Sequence, residues 1–346
     1  MVRWLVAGAL ALLLPAAPPA AAGDVFVDSA GRRVAVPARV ERVFPAGPPA
    51  ATIVYMLAPD TLLGWPRAIG PEERPFLPER YADLPALGRL TGRGGTVNLE
   101  TVVALRPDLI LDVGGTGATF VSLADRVQEQ TRVPYALVDG RLAETARALR
   151  TVGALLGVPD RAERLARYAE ETLEEVRRRI AAVPRERQLR VYMARGPRGL
   201  QTGLGGSINV EALDVLGVRN VAAEALGDGG LVTVSMERIL AWQPDVIVTI
   251  DPAFHRSVWT DPLWQGVKAV RDGRVHLAPL FPFTWIDFPP SANRLLGLRW
   301  LGKMLYPELF PEDLREEARR FHALFYHREP DDRQLDALLA GSRPPG

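Results

Sequence analysis

The stretch NLETVVALRPDLILDVG, residues 98–114, decides the fold because its pattern returns as SMERILAWQPDVIVTID, residues 235–251. Each copy has a short amphipathic segment, a Pro-Asp pair and a run of apolar, largely β-branched residues. Proline cannot continue a helix, and a short continuous apolar run is typical of a buried strand, so each copy predicts a helix that leads into a buried parallel strand. The offset of 137 residues exceeds any solenoid period, which predicts two similar lobes. The identical pairs are Glu100/Glu237, Ala104/Ala241, Pro107/Pro244, Asp108/Asp245 and Ile110/Ile247.

The rest of the chain fits a two-lobe α/β protein. Its 346 residues correspond to about two domains, and alternating strands and helices predict a parallel, doubly wound sheet in each lobe. Between the lobes, apolar residues recur every three or four positions without a turn signal, which predicts one long rigid helix. The predicted units are a signal peptide (1–22), an N-terminal lobe (23–158), the inter-lobe helix (159–184), a C-terminal lobe (185–328) and a tail (329–346).

The first 22 residues have the features of a cleaved export signal. Arg3 supplies positive charge, residues 4–14 are apolar, and Ala20 to Ala22 offer an Ala-x-Ala cleavage site. The apolar run of 11 residues is shorter than the roughly 18 to 20 that a membrane anchor needs. Because the chain has no cysteine, we expect neither a lipid anchor nor disulfides. A soluble, monomeric periplasmic protein is the expectation.

Composition argues against several function classes. The 42 basic and 41 acidic residues leave no positive excess for nucleic acid. No P-loop, dinucleotide fingerprint or nucleophile elbow follows a strand. We therefore predict that the chain is not an enzyme and has no cofactor or resident metal site, although a chelatase-like metal enzyme of the same architecture remains an alternative. The histidines are His255, His276, His322 and His327.

Three segments together resemble a known family. They are VFVDSAGRRVAVPARVERVF (25–44), LPALGR (84–89) and the NLE…ALRPDLIL block with its second copy. They resemble the substrate-binding proteins of ABC importers for iron–siderophores, haem and cobalamin, over essentially the whole chain after residue 22. The resemblance implies a ligand cleft between two lobes that close only slightly. It also implies that the cargo, a metal chelate, is delivered to an ABC permease dimer in the inner membrane.

The two glutamates of the repeat have a role implied by this resemblance. In family members such as the cobalamin-binding protein, one surface glutamate on each lobe docks onto arginines of the permease, and Glu100 and Glu237 match those positions. Such charge pairs set orientation and association rate more than affinity. Alternatively, each glutamate favours the first turn of its helix, where the helix dipole attracts an anion. The two roles are compatible.

Candidate ligand-binding residues follow from the position of the strands. Ligands of doubly wound sheets bind outside the carboxyl ends of the strands, where arginines can bind anions and aromatic rings can form walls. Resemblance to the ferric hydroxamate-binding member adds Arg93, with Arg89 as a competing position because the spacing differs, and supports a tryptophan from the second lobe. Strand-end Asp251 and Asp287 more often cap helices than bind metals. The candidates are Arg89, Arg93, Thr116, Arg195, Arg198, Phe283 and Trp285.

The sequence leaves the ligand open. Ferric siderophore, haem and cobalamin all suit a cleft with arginines and aromatic rings. Some relatives of this fold bind molybdate or tungstate, which suit arginine and backbone N–H groups, so an oxyanion receptor is the alternative ligand class.

Overall fold

The computed structural model describes residues 25–92 and 95–340; the predicted signal peptide, Arg93 and residues 341–346 lie outside the described residues. The strands are β1 (Val25–Val27), β2 (Arg33–Ala35), β3 (Val43–Pro45), β4 (Leu109–Gly114), β5 (Tyr135–Asp139), β6 (Arg190–Ala194), β7 (Gln201–Gly203), β8 (Arg219–Asn220), β9 (Leu231–Thr233), β10 (Val246–Thr249) and β11 (Val275–Leu277). The α-helices are α1 (Pro48–Leu57), α2 (Glu79–Ala82), α3 (Leu99–Ala104), α4 (Ala118–Thr131), α5 (Thr145–Leu155), α6 (Pro159–Ile180), α7 (Glu211–Val215), α8 (Val221–Leu226), α9 (Met236–Trp242), α10 (Pro252–Ser257), α11 (Lys268–Arg271), α12 (Arg294–Leu305), α13 (Leu314–Phe325) and α14 (Asp332–Ala340).

Each lobe is built around a parallel sheet with the same strand order. The N-terminal sheet has the strand order β3-β4-β5. Leu62 lies beside β3 and extends this sheet through a parallel bridge with Val43. The C-terminal sheet runs β8-β6-β10-β11, also parallel. The order Leu62–β3–β4–β5 in one lobe therefore corresponds to β8–β6–β10–β11 in the other. Two antiparallel pairs, β1-β2 and β7-β9, lie outside these sheets.

The sequence repeat is also a structural repeat. Helix α3 leads into β4, as α9 leads into β10, and the residues before the two prolines have φ of 46° and 43°. In the first copy the Asp108 carboxylate accepts the backbone N–H of Arg42, 2.9 Å away, next to β3. In the second copy Asp245 accepts the N–H of Arg190, 3.0 Å away, at the start of β6. Each Pro-Asp pair thus ends a helix and fixes the new strand to its neighbour, and the predicted α/β fold with doubly wound lobes is confirmed.

Helix α6 connects the lobes as a single 22-residue helix. Its apolar stripe is buried, and its N-terminal half packs on α5, where a side chain at Gly153 would collide with Ala162. On the other side α6 packs against α7 and α12 of the C-terminal lobe. The helix begins at the predicted residue, Pro159, and ends at Ile180, four residues before the predicted end.

The described part of the predicted tail contains a helix. Helix α14 occupies part of this segment, and its Leu335 and Leu338 are buried. Gln334 Nε2 donates to the carbonyl oxygen of Pro75 at 2.9 Å, so the segment contacts the N-terminal lobe. Leu335 and Leu338, three residues apart, form an apolar helix face that joins the hydrophobic core.

The hydrophobic core continues from one lobe to the other. The ring of Tyr55 in α1 has its centroid 5.4 Å from that of Trp65, 6.3 Å from Phe283 and 6.5 Å from Tyr326. Its hydroxyl donates to the carbonyl oxygen of Tyr326. The segment after α13 is therefore held against the N-terminal lobe by both packing and a buried hydrogen bond.

A buried arginine makes a second inter-lobe contact, which we call the Arg294 junction. The Arg294 side chain is 1% exposed; Nη2 donates to the Gly140 carbonyl and Nη1 to the Glu211 carboxylate, both at 2.7 Å, and Nη1 also to the Ile208 carbonyl at 3.1 Å. The same Glu211 oxygen accepts the N–H of Leu142 at 2.7 Å. Burial lowers the pKa of Arg294, and the Glu211 carboxylate opposes that shift. The buried charge of Arg294 is therefore paired with the Glu211 carboxylate, and its remaining donors bond to backbone carbonyls of both lobes.

Candidate functional site

The site candidate is a cavity of about 440 Å³ lined by both lobes. Its lining residues from the N-terminal lobe are Pro48, Ala51, Thr52, Trp65, Pro66, Arg67, Ile69, Glu73, Arg89 and Thr96, and those from the C-terminal lobe are Leu280, Phe281, Pro282, Phe283, Thr284, Phe288 and Pro289. The first turn of α1 follows β3, and residues 280–289 follow β11. The cavity thus lies beyond the carboxyl ends of parallel strands, where ligands of such sheets bind.

Aromatic rings form the back wall of the cavity. The Phe283 ring lies 5.7 Å from Trp65 between centroids, and Phe281 stacks on Phe76 at 6.0 Å. At the mouth, Phe288 is 45% exposed. Together with the prolines, these rings give a largely apolar surface that suits a flat or apolar ligand face.

The segment that carries the C-terminal wall is fixed from behind. The Thr284 hydroxyl and N–H both donate to the carbonyl of Phe288, and Asn293 Nδ2 donates to the carbonyls of Thr284 and Pro289. Gly297 lies against the carbonyl of Trp285, where any side chain would collide with that oxygen. Close approach without a side chain lets the loop rest directly on α12.

Charged groups line one side of the cavity. Arg67 Nη1 donates to Glu73 Oε2 at 2.9 Å and Nη2 donates to Oε1, which forms a bidentate pair. Glu73 is nearly buried and also accepts the Gly70 N–H at 2.7 Å. This hydrogen bonding to Glu73 raises the pKa of Arg67. Arg89 contributes a second guanidinium to the lining, so arginines outnumber carboxylates here.

The first turn of α1 lacks two of its backbone donors. Helix α1 points its first turn at the cavity, but Pro48 and Pro49 occupy its first two positions and have no N–H. The Thr52 hydroxyl donates to the carbonyl of Pro48 at 2.9 Å. A helix N-terminus usually binds anions through its free N–H groups, and this one has lost two of them.

The structure brings some predicted residues to the cavity and not others. Arg89 and Phe283 line it, whereas Thr116 and Arg198 do not. Thr116 is half-buried in the loop between β4 and α4, and Arg198 is exposed in the turn after β6. Arg93 lies outside the described residues.

Two predicted residues have other surroundings than expected. Trp285 is 0% exposed and packs in the core behind the wall, so it does not face the cavity. Arg195 forms an ion pair with the fully buried Asp287, whose Oδ1 also accepts from Asn209 Nδ2 at 2.7 Å. Arg195 thus anchors the wall segment instead of lining the cavity. Asp251 caps α10 by accepting two backbone N–H groups.

The sequence analysis missed Trp65 and Arg67. They follow Leu62, which continues the N-terminal sheet next to β3. The rule that ligands bind beyond the carboxyl ends of strands would have indicated both residues. They follow a very short strand and lie at the start of a segment rich in proline and glycine.

The repeated glutamates have equivalent positions. Glu100 and Glu237 are both exposed and both are the second residue of a short helix, α3 and α9. Asn98 caps α3 by accepting the Glu100 N–H at 3.0 Å, and a hydrogen bond from Ser235 lowers the pKa of Glu237. Both acids thus lie in the first turn, as the helix-dipole alternative requires.

A protein-family model described as periplasmic binding protein matches residues 66–279, more than half of the chain. The chain belongs to the periplasmic binding protein family. The predicted resemblance is thereby confirmed. Within the described part of the chain, none of the helices has the length and apolar character needed to cross a bilayer.

Individual relatives agree with this assignment. The chain is 24% identical to the molybdate-binding protein MolA of Haemophilus influenzae, with 90% of this chain and 94% of MolA covered. Among solved structures, an ABC transporter solute binding protein from Sulfurospirillum deleyianum has a TM-score of 0.80 at 27% identity, with 91% and 99% coverage. A periplasmic solute binding protein from Veillonella parvula has a TM-score of 0.75 at 22% identity, with 92% and 98% coverage. The chain is thus a binding protein of ABC-transporter type.

Proposed function

We propose that this protein captures a metal chelate in the periplasm and delivers it to an ABC permease in the inner membrane. The observation that carries the proposal is the inter-lobe cavity, with aromatic and proline walls and two arginines, Arg67 and Arg89, in its lining. An organic chelate offers both parts of a matching ligand, an apolar face and an anionic edge. Arginine binds carboxylate, catecholate or phosphate oxygens through paired N–H donors.

Size and donor content favour a chelate over a bare oxyanion. A volume of about 440 Å³ falls within the roughly 300–1,000 Å³ typical of small-molecule sites, and a four-oxygen anion would leave most of it empty. Oxyanion sites depend on converging N–H donors. Here prolines occupy the first two positions of α1 and two positions of the C-terminal wall, Pro282 and Pro289, and none of these has an N–H to donate.

Molybdate or tungstate is the second candidate cargo. Its support is the similarity to MolA along nearly the whole of both chains, together with the two lining arginines. A small anion would then bind at Arg67 or Arg89 and leave the aromatic pocket to water.

The chelatase-like alternative has less support. The matched relatives are binding proteins by name. Among the described lining residues the carboxylate is Glu73, and Arg67 and Gly70 already occupy its oxygens. A general acid or base must instead reach the substrate with a free position for the proton.

A ligand titration tests the proposal. Trp65 lines the cavity, so its fluorescence should report binding when the protein from Gly23 onward is titrated with ferric siderophores, haemin, cyanocobalamin, molybdate and tungstate. We expect saturable binding of a chelate with Kd of about 1 μM or tighter, confirmed by calorimetry. Binding of oxyanions alone would move the cargo to the second class, and no binding by any of them would contradict both.

The arginine side of the cavity gives a sharper prediction. Arg67→Gln should weaken binding of the chelate found in that titration by about 2 kcal/mol, or roughly 30-fold, because a charge-assisted contact with the ligand is lost. Arg198→Gln removes the same charge from an exposed site outside the lining and is the matched control. Equal affinities for the two variants would remove Arg67 from the site.

A further inference from the structure

The donor groups of the cavity narrow the class of cargo. Proteins bind transition metals mainly through cysteine, histidine and carboxylate groups, and haem iron through histidine, cysteine, methionine or tyrosine. None of the lining residues that the structure describes is a histidine, tyrosine or methionine, and the whole chain lacks cysteine. Residues 25–92 and 95–340 also contain no cluster of three or more side chains able to hold a metal ion. A metal inside the cavity would meet carbon atoms, guanidinium groups, hydroxyls and a single carboxylate, that of Glu73.

The histidines lie elsewhere. His255 packs edge-on to Trp259 in the C-terminal lobe, and His276 is part of strand β11. His322 is fully buried behind the aromatic wall, where burial lowers its pKa to about 3. His327 is half-buried, and its Nε2 lies 2.9 Å from the backbone carbonyl of Tyr55. None of these four described residues lines the cavity.

The tyrosines nearest the wall are also unavailable. The Tyr55 hydroxyl donates to the carbonyl of Tyr326, and both rings are 0% exposed beneath Phe283. Burial raises the pKa of Tyr326 well above its usual value, so the phenolate that a ferric ion prefers is strongly disfavoured. Glu73, the lining carboxylate, is engaged by Arg67 and Gly70.

We infer that the cargo is a coordinatively saturated metal complex, whose own organic ligand fills every position around the metal before the complex reaches the protein. The inference rests on the proposed function and narrows it. The protein binds the outer surface of the complex: the aromatic wall contacts its apolar part, and Arg67 and Arg89 face its anionic edge. Free metal ions, and complexes that need an axial ligand from the protein, do not match this cavity.

Two pairs of probes test the inference. The first pair is a hexadentate siderophore loaded with iron(III) or with chromium(III), whose ligand exchange is far slower. Equal affinity and equal binding time for the two complexes are expected, because no ligand is exchanged on binding. The second pair is haemin, which has an open axial position, and dicyanohaemin, which has none. Haemin should keep the Soret and charge-transfer bands of its free, detergent-dispersed form when mixed with the protein.

The outcomes separate the inference from the proposed function. Tight binding of the iron(III) complex with slow or absent binding of the chromium(III) complex would overturn the inference and leave chelate transport intact. The same holds for a haemin spectrum that gains axial ligation, and Tyr326→Phe or His327→Gln should then abolish the new bands and name the ligand. If neither siderophore complex nor either haemin binds while molybdate does, the proposed function and the inference fall together.

Discussion

Glu211→Met is expected to lower the free energy of unfolding by about 3–5 kcal/mol, the usual cost of leaving a buried charge without its partner. The substitution keeps side-chain volume but removes the carboxylate that accepts from Arg294 Nη1 and from the Leu142 N–H. Arg294 then retains the carbonyls of Gly140 and Ile208, which do not neutralise its charge. Urea unfolding followed by circular dichroism measures the change.

A surface ion pair provides the matched control. Glu163 pairs with Arg150 and Arg167 on the outside of α5 and α6, and its side chain is 39% exposed. Glu163→Met should therefore change the free energy of unfolding far less than Glu211→Met does. The double variant Glu211→Met with Arg294→Met should recover much of the loss, because it removes both charges together. If Glu211→Met costs no more than Glu163→Met, the Arg294 junction does not carry a buried charge in solution.

The Arg294 junction also bears on lobe movement. Arg294 and Glu211 belong to the C-terminal lobe, whereas the Gly140 carbonyl and Leu142 N–H belong to the N-terminal lobe. A large rotation of one lobe against the other would separate these atoms and leave buried groups unsatisfied. Helix α6 and the Tyr55–Tyr326 hydrogen bond add further constraints. We therefore expect only small closure on ligand binding, as the sequence resemblance implies.

The parts of the fold that the sequence predicts are those set by local chemistry. The Pro-Asp pairs end α3 and α9, and each aspartate accepts an N–H next to the neighbouring strand. A pattern of 17 residues therefore determines both where the helix ends and how the next strand is fixed to its neighbour. Helix α6 is similarly predictable because its buried stripe follows the helical period without interruption. Local signals of this kind need no knowledge of distant partners.

The site depends on distant partners, and there the sequence was a weaker guide. Arg195 follows β6, as a ligand residue could, but its charge is taken by Asp287, which lies 92 residues further along the chain. In the wall segment, Phe283 lines the cavity while Trp285, two residues on, packs into the core. Which aromatic ring faces the ligand depends on how the loop rests on α12 at Gly297. Sequence alone does not give that contact.

Simultaneous charge reversal at the repeated glutamates, Glu100→Arg with Glu237→Arg, is expected to reduce uptake to the background of a strain that lacks the protein. We propose that each glutamate meets an arginine on one half of a symmetric permease dimer, which would explain why both lobes present an exposed acid at the same helix position. Placing like charges opposite each other costs several kcal/mol per contact, so docking should weaken by more than about 100-fold. Uptake by cells and stimulation of permease ATPase activity both measure this loss.

A measurement of ligand affinity distinguishes a loss of permease docking from damage to the ligand-binding site. Neither glutamate lines the cavity, so Kd for the chelate should be unchanged in the double variant. Glu129→Arg with Glu174→Arg changes net charge by the same amount at two other exposed helix positions and should transport normally. If the two lobes contact separate halves of the dimer as proposed, each single reversal should leave one docking contact and an intermediate uptake. Equal losses of uptake and affinity, or equal losses in the control, would contradict the docking role and leave the glutamates as residues that stabilise the first turns of α3 and α9.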